Sequence, residues 1–101
     1  KTIHYIPVPG EFALHQNYPN PFNPVTTINY DLSKEGHVSI VVYDLLGREV
    51  KTLVNEVQNA GYASIRWDGT DNLGKTLASG MYFYQMYTGD FILVRKMVLL
   101  K

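Results

Sequence analysis

Glycine recurs through this chain at spacings too short for any long element: Gly36, Gly47, Gly61, Gly69, Gly74, Gly80 and Gly89. Between them lie short runs rich in β-branched and aromatic residues, the pattern of an all-β sandwich with a turn about every ten residues. In TTINYDL, Thr26, Ile28, Tyr30 and Leu32 share one face while Thr27, Asn29 and Asp31 share the other. That period of two marks a half-buried strand. HVSIVVYD turns Val38, Ile40 and Val42 one way and Val41 and Tyr43 the other, and ASIRWD is expected to bury Ala63, Ile65 and Trp67 while Ser64 and Arg66 face water. MYFYQMYT and FILVRKMVLLK flank Thr88-Gly89-Asp90, the strongest hairpin signal in the chain. Both are apolar on both faces, so each is expected to be covered on one side and lightly protected on the other.

EVKTLVNEV reads two ways. Val50, Leu53, Val54 and Val57 fall at helical spacing. The segment is nevertheless short, β-branched and closed by glycine turns on both sides. A strand is predicted, with a bulge that shifts register and re-aims Leu53 and Val54. No internal repeat or low-complexity tract is visible in the sequence.

The 101 residues suit one two-sheet sandwich, and a hydrophobic share of 46% is ordinary for a globular domain. Nine basic and nine acidic residues cancel. That neutrality argues against a nucleic-acid binder and against a polybasic membrane anchor. With no cysteine, disulfides and thiolate metal sites are excluded. No apolar run approaches the roughly 18 residues of a membrane helix, so no membrane insertion is expected. Lys1 to Gly10 lacks the pattern of a signal peptide. Its Ile3, Tyr5 and Ile6 precede a Pro-Val-Pro-Gly break that reads as an extended linker, and the chain, opening without methionine, is expected to be part of a longer protein.

The stretch NYPNPFNP, residues 17–24, holds three of the five prolines and three asparagines. Proline fixes φ and pushes the residue before it toward extended conformations. An ordered, stiff lead-in to the first long strand is predicted, with Tyr18 and Phe22 pinning it to the sandwich.

Catalytic signatures are missing. His4, His15 and His37 have no partner at metal-ligand spacing, and there is no nucleophile elbow, HExxH or phosphate loop. WDGTDNLGK places oxygens at Asp68, Thr70, Asp71 and Asn72 in the alternating manner of calcium loops, but Leu73 and Ser79 stand where an EF-hand needs glycine and glutamate. Two successive tight turns account for the same residues, so no cofactor is expected. Tyr62, Trp67, Tyr82, Phe83, Tyr84 and Tyr87 could form a carbohydrate platform, as in an accessory module of an extracellular enzyme. Packing in the core and across the sheet is the preferred reading. The terminal RKMVLLK concentrates positive charge at Arg95, Lys96 and Lys101. It is either a charged edge that resists aggregation or an exposed terminus recognised by a partner through strand addition or charge pairing.

Taken in order, NYPNPFNPVTTINYDL, VYDLLGREVKTL, AGYASIRWDGTDNLGKTLASGMYFYQM and KMVLLK resemble one family. They resemble the type A C-terminal sorting domain of the bacterial type IX secretion system, itself similar to the immunoglobulin-like domain of flagellar hook-capping proteins. The resemblance covers about residues 12 to 101 and leaves 1–11 as a linker from an upstream cargo domain. It implies an immunoglobulin-like antiparallel β-sandwich of about seven strands. It also implies a non-catalytic targeting module, read by the outer-membrane translocon and a shuttle protein and removed by a sortase-like cysteine protease. Such a chain would be exported, pass the periplasm and finish at the cell surface or outside. A structural capping or spacer role, like that of the hook-cap relative, is the further alternative.

Matched position by position, Asn17, Pro19, Asn20, Pro21, Phe22, Asn23 and Pro24 stand in the family's lead-in motif. Tyr43, Asp44 and Gly47 stand in its mid-domain turn, and Trp67, Asp68, Gly69 and Gly74 in its hairpin motif. Ser79, Gly80 and Tyr82 form the glycine-tyrosine motif, and Lys96 and Lys101 take the basic positions of the terminal strand, where recognition is expected.

Overall fold

The computed structural model describes residues 7–100. Its seven strands are β1 (Ala13–Leu14), β2 (Thr26–Leu32), β3 (Gly36–Tyr43), β4 (Glu49–Gln58), β5 (Gly61–Trp67), β6 (Gly80–Thr88) and β7 (Phe91–Leu99). All pairings are antiparallel, giving a three-stranded sheet of order β1-β2-β5 and a four-stranded sheet of order β4-β3-β6-β7. The two sheets close over one core, as an immunoglobulin-like sandwich does. The first six residues of the expected linker, and with them Ile3, His4, Tyr5 and Ile6, lie outside the described residues, as does Lys101.

The alternation in the sequence decides which faces meet. Ile28, Tyr30 and Leu32 from β2, Val38, Ile40 and Val42 from β3, Tyr84 and Met86 from β6, and Met97 and Leu99 from β7 are all buried between the sheets. Each such aliphatic side chain contributes on the order of 2 kcal/mol by leaving water. β5 follows the expected alternation less fully: Trp67 is buried, but Ala63 and Ile65 are only half covered. The reason is position, since β5 has a partner on one side only and forms an edge of the short sheet.

EVKTLVNEV is a strand, and the register breaks twice along it. β3 partners run Ile40↔Val54 and then Val41↔Thr52, skipping Leu53, and Val42↔Lys51 and then Tyr43↔Glu49, skipping Val50. Each extra residue turns the following side chains to the other face. The helical-looking spacing of valines and leucine is thus a strand period interrupted by bulges. β6 and β7 join through Gly89-Asp90, with Thr88 facing Phe91 and Gly89 at φ 56°, as a turn with glycine at its first central position requires.

Candidate functional site

The antiparallel path gives the sandwich two ends. β2, β4 and β6 begin, and β3, β5 and β7 finish, at the same one. Residues 17–24, the turn Asp44–Arg48, the loop from Asp68 to Ser79 and the finish of β7 therefore gather there, although they are spread over most of the chain. Of the motif residues, Lys96 lies farther down β7.

The lead-in closes this end by bonding to both sheets. On one side Tyr18 and Thr27 exchange backbone hydrogen bonds, each 2.9 Å. On the other, Phe22 N–H donates to the Val98 carbonyl at 2.9 Å and Leu100 N–H to the Phe22 carbonyl at 2.8 Å. Asn20 Oδ1 accepts from Val98 N–H at 2.9 Å. Gln16 Nε2 donates to the Lys96 carbonyl at 2.6 Å. The Tyr18–Pro19, Asn20–Pro21 and Asn23–Pro24 peptide bonds are cis. Phe22 does pin the segment, with its ring buried 5.6 Å from that of Trp67, which meets Tyr82 edge-on at 5.9 Å. Tyr18 does not: its side chain is 79% exposed and only its backbone holds the sheet. The period of two across Asn17 to Pro24 is broken by the prolines, so side-chain direction there could not be counted from the sequence.

Asn17 is buried under this clasp and fully engaged. Its N–H donates to Tyr84 Oη at 2.8 Å, and its Nδ2 donates to Thr26 Oγ1 at 3.0 Å and to the Pro19 carbonyl at 3.2 Å. Tyr84 Oη donates onward to the His15 carbonyl at 2.6 Å. Burial pushes the Tyr84 phenol up to about 12, against the Asn17 N–H, which favours the phenolate. Trp67 Nε1 donates to the Thr70 carbonyl at 2.9 Å and Tyr82 Oη to the Ala78 carbonyl at 2.6 Å, tying the long loop to the aromatic core. Gly69 is buried at φ 77°, and a Cβ there would lie 3.4 Å from the Pro24 carbonyl oxygen and 3.5 Å from both δ-carbons of Leu99.

Two turns at this end are built alike, a repeat that the sequence reading did not register. In Asp44-Leu45-Leu46-Gly47-Arg48, Asp44 Oδ1 accepts from the N–H of Leu46 and Arg48 at 2.9 and 3.0 Å. In Asp71-Asn72-Leu73-Gly74-Lys75, Asp71 Oδ1 accepts from Leu73 and Lys75, both at 2.9 Å. The glycines sit at φ 80° and 83°, and each aspartate N–H donates to the carbonyl four residues on. The shared pattern D-x-L-G followed by a cation was there to be found. Hydrogen bonds from backbone N–H groups and the Arg48 side chain hold the Asp44 carboxyl below the usual carboxylate range. Asp68 is lowered in the same sense, chiefly by the Thr70 hydroxyl, which donates to Oδ1 at 2.6 Å. Asn72 Oδ1 accepts from Thr52 N–H at 3.0 Å and so docks the second turn on β4. The carboxylate and amide oxygens weighed for calcium thus accept from N–H and O–H groups of the loop and of β4.

Both turns carry a leucine at the tip, with Leu46 78% and Leu73 86% exposed. Leu45, Tyr18 and Leu100 are exposed at the same end. These apolar tips were missed because hydrophobic residues in a turn are read as strand ends. The signal was a leucine immediately before a positive-φ glycine. Pro19, Asn20, Pro21, Asn23, Pro24, Gly47, Asp68, Gly74 and Ser79 are also solvent-facing there. Phe22, Trp67, Gly69 and Tyr82 form the floor beneath them.

Strand addition is one of the modes considered for the basic finish of β7. Strand addition along its basic finish requires an open edge, and from Lys96 to Leu100 that edge is occupied by Gln16, Asn20 and Phe22. Of the aromatics considered for a sugar platform, Trp67, Tyr82 and Tyr84 are buried, whereas Tyr62 is 67% exposed on the outer face of the short sheet. His15, expected as an ordinary surface histidine, has Nε2 3.0 Å from Asp31 Oδ2 on that face.

An immunoglobulin-like sandwich whose turns and lead-in converge on one end defines the class of domain. The particular family follows from the sequence of residues 23–90, which matches that described as the FlgD Ig-like domain, and the chain belongs to it. Among solved structures it is similar to dimeric latent PorU from Porphyromonas gingivalis, with TM-score 0.69 and 21% identity over 84% of this chain and 9% of the PorU chain. It is also similar to PorZ, an essential surface component of the type IX secretion system of the same organism. There the TM-score is 0.57 and the identity 19%, over 89% of this chain and 11% of the other. At these identities the likeness is one of fold, and the chain spans only a small part of either protein. No curated protein sequence matches it.

Proposed function

We propose that this chain is a non-catalytic targeting domain that directs an attached cargo through type IX secretion to the cell surface, by protein–protein recognition. The observation that carries the reading is the convergence of the lead-in, both leucine-tipped turns and the finish of β7 on one end of the sandwich. Exposed apolar residues on a rigid rim are what a protein partner buries. The residues beneath the rim, Phe22, Trp67, Gly69 and Tyr82, hold it in place and make no contact with the partner. Likeness in fold to PorU and PorZ, the latter a component of that system, supports the same assignment. The translocon, a shuttle protein and a processing cysteine protease are the partners this reading calls for. No metal or cofactor takes part.

The test uses a folded reporter carrying an export signal, fused ahead of residue 1 and expressed in a bacterium with a type IX system. The reporter is expected at the cell surface with the domain and in the periplasm without it. Leu46→Asp with Leu73→Asp is expected to strand the fusion in the periplasm while leaving its circular dichroism unchanged. Surface delivery independent of the domain, or a fusion retained in the periplasm with the native domain, overturns the reading.

A further inference from the structure

We propose that the open part of the β7 edge pairs with the same edge of a second copy of this chain. The inference is separate from the targeting role and uses a different surface. Val98 N–H and C=O both bond to the lead-in, so they point away from β6. The register of β6 and β7 is continuous from Gly80↔Leu99 to Thr88↔Phe91. In an antiparallel ladder, alternate residues point the same way, so the N–H and C=O groups of Ile92 and Val94 also face outward. Among the described residues neither has a backbone partner on that side.

The lead-in stops covering this edge at Lys96, where Gln16 takes the carbonyl. The stretch whose outward backbone groups are left unbonded is therefore Phe91 to Arg95, centred on Leu93, with residues 12–14 reaching β7 through the Phe12–Phe91 ring contact and the bond from the Arg95 side chain to the Leu14 carbonyl. It is also apolar and exposed, with Phe91, Ile92 and Val94 at 52%, 61% and 50%. An exposed apolar strand edge is a template for pairing with another chain.

The sequence selects which chain. Antiparallel pairing of two β7 strands about Leu93 sets Ile92 against Val94 of the second copy, twice, on the outer face. The same register carries Asp90 abreast of Lys96 of the second copy, again twice. Shifting by one step in either direction sets Asp90 against an apolar residue, Val94 or Val98. The hairpin turn of each copy then ends where the lead-in of the other begins, so the paired length matches the uncovered length. The two four-stranded sheets become one continuous sheet of eight strands about a twofold axis, a closed isologous interface. Opposite charges directly across a strand pair are favourable and like charges are unfavourable.

Sedimentation equilibrium of the chain over a wide concentration range provides the test. The native chain is expected to self-associate to a dimer. Lys96→Glu is expected to weaken association by about tenfold, since two favourable pairs become two repulsive ones. Asp90→Lys combined with Lys96→Glu is expected to restore it. Circular dichroism on each variant confirms that the fold is retained. A chain that stays monomeric throughout overturns the proposal and leaves the edge to another protein. A dimer indifferent to Lys96→Glu, or one the double exchange fails to restore, overturns it too, by placing the interface elsewhere.

Discussion

Gly69 and Gly47 share a positive φ, 77° and 80°, but not their surroundings. Nothing lies within 4 Å of a Cβ at Gly47, whereas at Gly69 it would sit in ordinary van der Waals contact with the Pro24 carbonyl oxygen and Leu99. Left-handed backbone alone costs a side chain about 1–2 kcal/mol. Gly47→Ala and Gly69→Ala are each expected to lose about that much in urea denaturation, since the added carbon fits the space at both positions. A distinctly larger loss at Gly69 would show that the lead-in and β7 are packed too tightly there to accept the added carbon. Tyr84 sets a second residue-scale expectation. Its phenol is raised from 10.0 to about 12 in the fold, so the folded state holds the proton more tightly than the unfolded chain does. The stability from that preference is complete below pH of about 10 and is lost as pH rises toward about 12, by roughly 3 kcal/mol at most. Tyr43, pushed up to about 12 by burial and by its hydroxyl contact with Tyr87, adds in the same direction. Denaturation midpoints should therefore fall with alkali, and less steeply in Tyr84→Phe.

Among the segments outside the long strands, the lead-in has no regular structure yet bonds to both sheets. It links β2 of the short sheet to β7 of the long one through backbone bonds at Tyr18 and Phe22. It also delivers Asn17 and Phe22 to the interior, just after Leu14 of β1. A chain starting at Asn23 keeps every long strand but lacks these three buried side chains. Losing a buried Phe alone costs about 3–5 kcal/mol, and a domain of this size has only about 5–15 kcal/mol in total. That fragment is expected to lose its near-ultraviolet circular dichroism and to bind a hydrophobic dye. A fixed aromatic signal from it would demote the clasp to decoration. The alternating strands and the hairpin at Gly89 were legible because period and turn chemistry are local. The bulges of β4 were legible only as a conflict between two periods, and the closure of the β7 edge was not legible at all.

Over the whole molecule, the described chain enters near the β6–β7 turn, and the leucine-tipped turns stand at the opposite end. Phe12 stacks on Phe91 with ring centroids 5.0 Å apart beside the β6–β7 turn, and Arg95 Nε donates to the Leu14 carbonyl at 2.8 Å as the backbone passes toward the lead-in. A domain joined ahead of Phe12 would stand away from the leucine-tipped turns, which is why the fusion test places the reporter there. Removing Val98 to Lys101 is a poorer probe of recognition. Leu99 is fully buried and Val98 holds Phe22 and Asn20, so the cut would unfold the end that it is meant to probe.

The sequence by itself determined the strands, their inward faces and the hairpin, because each depends on residues close together along the chain. It determined that NYPNPFNP would be stiff, since proline restricts backbone angles wherever it stands. Only the tertiary structure decided that this stretch would bond to the last strand, cover half of its edge and leave the other half bare. It alone showed that two distant aspartate turns stand side by side with their leucines outward. Those outcomes depend on which strand ends meet once the sheets close, and antiparallel topology brings together residues whose separation along the chain gives no sign of it.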